Sequence, residues 1–144
     1  MIKVFIDSSV IIAGLISDEG GSAKILALCE SGVVEGWISD KVIEEINEVI
    51  ARKFPELNIH FKKVVKIAKL KMVKNLNKKL VKEAEEWISD SNDAPILAAA
   101  KFAKVDVLLT LDIRHFIRDV EVTKKSKLQI MTPGEFLQGF VKMG

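Results

Sequence analysis

Asp7 directly follows the apolar run Ile2-Lys3-Val4-Phe5-Ile6, and Asp112 follows the run Val105 to Leu109 by way of Thr110 and Leu111. Runs of this length and bias read as buried strands, which places each acid at a strand's carboxyl end. Asp is also a favoured helix N-cap, and for Asp7 alone that reading is equally good. Other acids must decide. The stretch Asp90-Ser91-Asn92-Asp93-Ala94-Pro95 opens an alanine-rich segment whose exposed amides and dipole favour an anion; capping accounts for one of Asp90 and Asp93 but not for both. Between Val42 and Ala51, residues Val42, Ile43, Ile46, Val49 and Ile50 form one apolar stripe. Glu44 and Glu48 point almost opposite its centre, whereas Glu45 lies about 100° from it, where a side chain turns either to a neighbouring cleft or to solvent.

Carboxylates gathered in one crevice raise one another's pKa, and a cation relieves the repulsion. Oxygen donors select hard divalent ions such as Mg²⁺ or Mn²⁺, and Mg²⁺ is usually held by one or two carboxylates together with waters and substrate phosphate. The simplest chemistry for Asp7, Glu45, Asp93 and Asp112 acting together is phosphodiester hydrolysis, in which the ion lowers the pKa of a bound water, orients it and stabilises the leaving oxygen. Cys29 lies in an apolar stripe with Ile25 and Leu26 and reads as core, and His60 reads as structural or solvated.

The elements that position these acids belong to one domain over residues 1–144. The chain shows no repeat, no low-complexity tract and no linker, and its 144 residues are 49% hydrophobic with a formal net charge of +2. The single cysteine excludes a disulfide framework and a cysteine zinc site, so a reduced, cytoplasmic setting is expected. No segment has the length and apolarity of a membrane span or a signal peptide. Strand-length apolar runs cover Ile2 to Ile6, Val34 to Ile38, Val105 to Leu109 and Leu128 to Met131, with a weaker one at Leu70 to Val73. Helical segments lie between them: Ser22 to Cys29 closed by Gly32, Val42 to Ala51, and Asn92 to Ala103 with Pro95 in its first turn. Thr132-Pro133-Gly134-Glu135 has capping-box spacing and opens a last helix through about Val141. Strands apolar on both faces and separated by helices predict a three-layer α/β/α sandwich around a parallel sheet, with the functional crevice beyond the strands' carboxyl ends.

Four stretches together resemble the PIN domain family, a compact metal-dependent ribonuclease fold. They are Phe5 to Val10, Ile38 to Ile46, Asp90 to Ala100, and Leu109 to Phe116, in that order and spacing. The resemblance covers essentially the whole chain and implies a five-stranded parallel sheet of order 3-2-1-4-5. It implies that Asp7, Glu45, Asp93 and Asp112 form the catalytic acidic set, with Asp7, Asp93 and Asp112 on Mg²⁺ or Mn²⁺. Ser8 or Ser9 and Thr110 would be supporting contacts, as would Asp90 and Asn92. Many members carry a further acid three residues after the last one, where this chain has His115; that residue either binds metal, contacts phosphate or packs inertly. The implied activity is endoribonucleolytic, as a toxin of a toxin–antitoxin pair or in RNA processing and decay. The alternative is a non-catalytic PIN-like module that binds RNA or protein. A phosphoacceptor receiver would need an acidic pair after the first strand, where Asp7 is followed by Ser8 and Ser9.

Charge is unevenly distributed. Leu57 to Lys82 carries nine lysines and no acid, while the remainder has 13 basic and 20 acidic residues. Such a surface attracts phosphates without regard to sequence, and Lys62, Lys63, Lys66 and Lys69 are the candidate RNA contacts. The competing reading is a solvated helix face, because Phe61, Val64, Val65, Ala68, Met72, Leu76 and Leu80 fall at helical spacing, with a break expected near Asn75 and Asn77. Phe61 alone is too sparse for a base-stacking platform. Expected partners are therefore RNA, an antitoxin protein and a second copy of the chain through its apolar helices, and no membrane.

Overall fold

Parallel strands cannot be joined by a tight turn, so each pair demands a crossover that covers one face of the sheet. The computed structural model describes residues 1–112, 114, 116 and 120–143. Its strands are β1 (Ile2–Ile6), β2 (Val34–Ser39), β3 (Lys71–Val73), β4 (Val107–Leu109) and β5 (Gln129–Met131). They form one sheet of order β3-β2-β1-β4-β5, every neighbouring pair parallel, as expected. Among the described residues the helices are α1 (Ser8–Ile16), α2 (Gly21–Glu30), α3 (Asp40–Lys53), α4 (Asn58–Ile67), α5 (Lys78–Glu85), α6 (Ala94–Phe102), α7 (Val120–Ser126) and α8 (Pro133–Met143). From β1 to β3 the strands step in one direction; the next crossover returns to set β4 beside β1. With right-handed crossovers, α1 to α4 therefore cover one face, and α5 and α6 the other. No helix among the described residues is long and apolar enough to cross a membrane.

Burial follows from this layering. Val4, Phe5, Ile6, Leu108 and Leu109 are inaccessible although successive residues face opposite ways, which is why these strands read as unbroken apolar runs. Helix α6 is buried nearly throughout, from Ala94 to Ala100, so its alanines let it lie close to the sheet. Three helices stop in the same way before a strand. Gly32, Lys69 and Lys104 adopt left-handed φ of 79°, 55° and 56°. The next residues, Val33, Leu70 and Val105, donate back to Leu28, Val65 and Ala100 carbonyls. Val105 is spent on that cap, which is why β4 begins two residues later than the apolar run suggests. The capping box is present: Glu135 N–H donates to Thr132 Oγ1 and Thr132 N–H to Glu135 Oε1, both at 3.1 Å.

The basic block departs from its expected single stripe. Phe61, Val64 and Val65 lie on α4, but Met72 belongs to strand β3, Leu76 to the loop after it and Leu80 to α5. Asn75, with φ of 53°, and Asn77, the N-cap of α5, make the break. The common spacing arises because three elements each turn apolar residues toward the same core.

Gly36 in β2 shows how tightly α2 sits on the sheet. A Cβ there would lie 2.7 Å from Leu70 Cδ2, 2.8 Å from Cys29 Sγ and 3.2 Å from Ile6 Cδ1. Gly36→Ala should lower unfolding free energy by about 1–3 kcal/mol through overpacking. Urea unfolding measures it, and an unchanged midpoint would contradict the packing described.

Candidate active site

In an open parallel sheet the crevice opens where strand order reverses, and here that is the junction of β1 and β4. Ile6 pairs with Leu109, so Asp7 and Thr110 leave the sheet side by side. Asp7 stands at the N-cap position of α1 but its side chain makes no cap bond, so the capping explanation of this residue fails. Its Oδ2 instead accepts from Thr110 Oγ1 at 2.8 Å and from Ser9 Oγ at 2.9 Å. Each hydroxyl is itself held by a backbone amide: Asp112 N–H donates to Thr110 Oγ1 at 3.0 Å, and Leu111 N–H to Ser9 Oγ at 3.1 Å. The result is a closed ring that ties the start of α1 to the loop after β4. Asp7 is 6% exposed and Thr110 is inaccessible.

The remaining acids approach from different directions. Asp112 follows β4 in the strand layer. Glu45, half-buried, comes from α3 on one face, while Glu44 and Glu48 point to solvent, as the helical geometry predicts. Asp93 comes from the other face, at the N-cap position of α6 and without a side-chain cap bond. Asp90 does the capping, accepting from Asn92 N–H at 3.0 Å in the short 3-10 turn Ser91–Asp93. The two acids of that motif thus have separate roles, and Asp93 is the one presented to the crevice.

The electrostatics register the convergence. Burial pushes the Asp7 carboxyl up, the hydroxyls of Thr110 and Ser9 and the Ser8 amide pull it down, and the Asp112 charge raises it further. Burial, then the Asp7 charge, push Glu45 up to about 7, with Asp93 and Glu44 adding to the rise and Lys41 opposing it. Asp7 therefore feels the charge of Asp112, and Glu45 the charges of Asp7 and Asp93, which links the four acids in a chain. Glu45 Oε1 is buried and accepts no hydrogen bond; the same is true of the Asp93 Oδ2 atom, while the residue is held by other interactions.

This donor set suits a hard divalent cation, and the Glu45 oxygen is an acceptor with no donor to meet it. Among the described residues no three acids, histidines or cysteines close into one ligand cluster. Mg²⁺ needs only one or two protein carboxylates and takes its other ligands from water and phosphate. Asp7 and Asp112, adjacent through the hydroxyl ring, are the first candidates, with Asp93 opposite.

Ser9 and Thr110 hold Asp7, Ser8 contributes its amide, and Asn92 is exposed and serves the 3-10 turn. His115 lies outside the described residues. Lys62, Lys63, Lys66 and Lys69 are exposed on and just after α4, not in the crevice. Lys41 was missed, although its i, i+4 spacing to Glu45 could have revealed it.

Glu45 is an acid with a raised pKa, so the folded protein binds more protons at it than the unfolded chain from about pH 4.5, the ordinary Glu value, to about 7. Its contribution to stability is full below that window and falls as pH rises through it, and the upward shift of Asp7 acts in the same sense. In metal-free melts, Glu45→Gln should gain on wild type between pH 5 and 8; a constant difference would show that Glu45 is not crowded. Thr110→Val should lose about 1–3 kcal/mol in urea unfolding by stranding buried polar partners. Thr110→Ser should recover most of that loss.

Residues 3–114 match a family model described as PIN domain. No curated protein matches the chain. Among solved structures, VapBC2 from Rickettsia felis, bound to a DNA fragment from its promoter, is 16% identical with a TM-score of 0.65, covering 91% of this chain and 98% of that one. VapC20 of Mycobacterium tuberculosis, a toxin that cleaves the sarcin-ricin loop, is 15% identical with a TM-score of 0.53, covering 73% and 86%. A domain of a functionally unknown protein from Methanocaldococcus jannaschii is 20% identical with a TM-score of 0.53, covering 92% and 91%. At these identities the structures speak to fold, and the matched residues run past Asp7, Glu45, Asp93 and Asp112 alike. By its family match, its sheet order and the acids at its strand-order reversal, the chain belongs to the PIN domain family.

Proposed function

We propose that the protein is a divalent-metal-dependent endoribonuclease whose catalytic acids are Asp7, Glu45, Asp93 and Asp112. The observation that carries this reading is the convergence of these carboxylates at the β1–β4 junction, with a buried Glu45 oxygen that accepts no hydrogen bond. Asp7, Asp112 and Asp93 would hold Mg²⁺ or Mn²⁺. Bound there, the ion supplies charge neutralisation, an activated water and stabilisation of the leaving oxygen. Ser9 and Thr110 fix the rotamer of Asp7 so that Oδ2 stays committed to their hydroxyls. Glu45, pushed up to about 7, can take or give a proton at Oε1 near neutral pH, as a general acid or base must. Asp90 and Asn92 keep the turn that presents Asp93. His115, three residues after Asp112 in the sequence, would be a supporting residue.

RNA is the proposed substrate. The exposed lysines Lys62, Lys63, Lys66 and Lys69 supply sequence-independent attraction to its phosphates. The sarcin-ricin loop activity of VapC20 favours an RNA-cleaving toxin. An antitoxin protein and a homodimer, implied by the PIN resemblance of the sequence, and a cytoplasmic setting, expected from the single cysteine, belong to this proposal.

Cleavage of a mixed set of single-stranded and structured RNAs tests it, with Mg²⁺, Mn²⁺ or EDTA, comparing wild type with Asp7→Asn and Asp112→Asn purified in parallel. Activity in wild type alone, abolished by EDTA and reduced at least about 100-fold in both variants, is the expected result, in line with the several kcal/mol such sites supply. If wild type and variants are equally active, these acids do not carry the cleavage; if all are equally inert while RNA still binds, the non-catalytic binding-module reading takes its place.

A further inference from the structure

All nine lysines between residues 57 and 82 are exposed, but the topology distributes them to different heights of the sheet. Helix α3 leaves the strands' carboxyl edge and descends; Lys62 lines a cleft with Asn47, Ile50 and Ala51 on its second half. Lys69 precedes β3, and Lys71 stands level with Trp37, where Glu35 lies 3.4 Å from its ammonium. Lys74 is placed differently. Val73 pairs with Ser39, and the β1–β2 register, with Phe5 opposite Trp37, continues to put Asp7 level with Ser39. Val73 therefore lies in the same row as Asp7, two strand spacings or about 10 Å away, and Lys74 is the next residue beyond it as the chain leaves the sheet. Asn75 turns the chain at once with its left-handed φ of 53°, and Asn77 caps α5 by accepting from Lys79 N–H at 2.8 Å. Lys78 and Lys79 thus remain near the same edge. Lys74, Lys78 and Lys79 have no ion-pair partner among the described residues.

On the other flank of Asp7 the edge carries Thr110, Asp112, Thr132 and Glu135, and among the described residues Arg114, exposed two positions after Asp112, is the cation nearest to them in sequence. The described carboxyl edge is therefore more strongly cationic on the β3 side of the acids, with three lysines, than on the β5 side. A polyanion is attracted more strongly to the β3 flank. We propose that an RNA strand crosses this edge from the β3 side with consecutive phosphates on Lys74, Lys78 and Lys79, which delivers the next phosphate to the acids. The inference rests on the ribonuclease reading above and adds the path and direction of the strand. Recognition along this path is of the backbone, so it is indifferent to sequence.

The test compares two charge-matched triple variants in an Asp7→Asn background. One carries Lys74→Gln, Lys78→Gln and Lys79→Gln; the other carries Lys24→Gln, Lys53→Gln and Lys104→Gln, exposed lysines outside the 57–82 block. Affinity for labelled single-stranded RNA is measured across a salt series, and circular dichroism melts confirm that these surface changes leave the fold intact. Losing three phosphate contacts at about 0.7 each should reduce the slope of log affinity against log salt by about 2 in the first variant. The second should change it by less than half as much. With Asp7 restored, the first variant should raise KM for RNA cleavage while kcat stays within about twofold, the signature of lost uniform binding. An unchanged slope in the first variant, or equal changes in both, overturns the path. If wild type still cleaves in that case, the ribonuclease reading stands; if wild type neither binds nor cleaves RNA, both fall.

Discussion

The Asp7 carboxylate sits where water is largely excluded and where the charge of Asp112 opposes its ionisation, and hydrogen bonds from Thr110, Ser9 and Ser8 hold the charge in place. That balance requires β1 and β4 to lie side by side. Asp7 N–H donates to Leu109 O at 3.0 Å, and Thr110 donates its hydroxyl to the Asp7 side chain. A buried carboxylate without its donors would take up a proton and lose its value as a ligand or base. Every element between residues 8 and 106 therefore serves the site indirectly, because the two crossovers outward to β3 and the single return are what bring Thr110 to Asp7. The hydroxyl ring also orients the loop of Asp112, so one set of bonds fixes two of the four acids.

Much of this was legible in the amino-acid order because parallel strands buried on both faces announce themselves as apolar runs, and an acid directly after such a run can lie only at the strand's end. Asp7 and Asp112 are found that way, and the periodicity of α3 separates Glu45 from Glu44 and Glu48. The capping argument over Asp90 and Asp93 reaches a definite outcome, with Asp90 bonded to Asn92 N–H and Asp93 turned to the crevice. What could not be read is whatever depends on residues distant in sequence meeting in space. Ser9 binds Leu111 N–H across 102 positions, and nothing local distinguishes Ser9 from Ser8. The lysine block shows the opposite difficulty. Its apolar residues keep helical spacing through Met72 and Leu76, although the chain there is a strand and a loop, because periodicity reports the facing of side chains and not the continuity of the backbone.

A formal net charge of +2 conceals a molecule divided by sign. The acids meet at the strand-order reversal in the middle of one edge, and the lysines follow the outermost strand on one flank. Sheet order alone imposes that separation, since β3 ends the row and β1 and β4 occupy its centre. Lys71 and Glu35, paired beside Trp37 below the edge, neutralise one another and leave the field there weak.

The distance in sequence between Asp7 and Thr110 has a bearing on how the protein is made. During synthesis, at about 5–20 residues per second, β1, α1 and even Glu45 and Asp93 are made before β4 exists. Until residues 107–112 follow, Asp7 lacks its Thr110 hydroxyl and its Asp112 neighbour, and Ser9 lacks the Leu111 amide. The acidic centre therefore closes only once more than three quarters of the chain has been translated. A nascent chain, and any product of premature termination before β4, therefore lacks the assembled acidic centre.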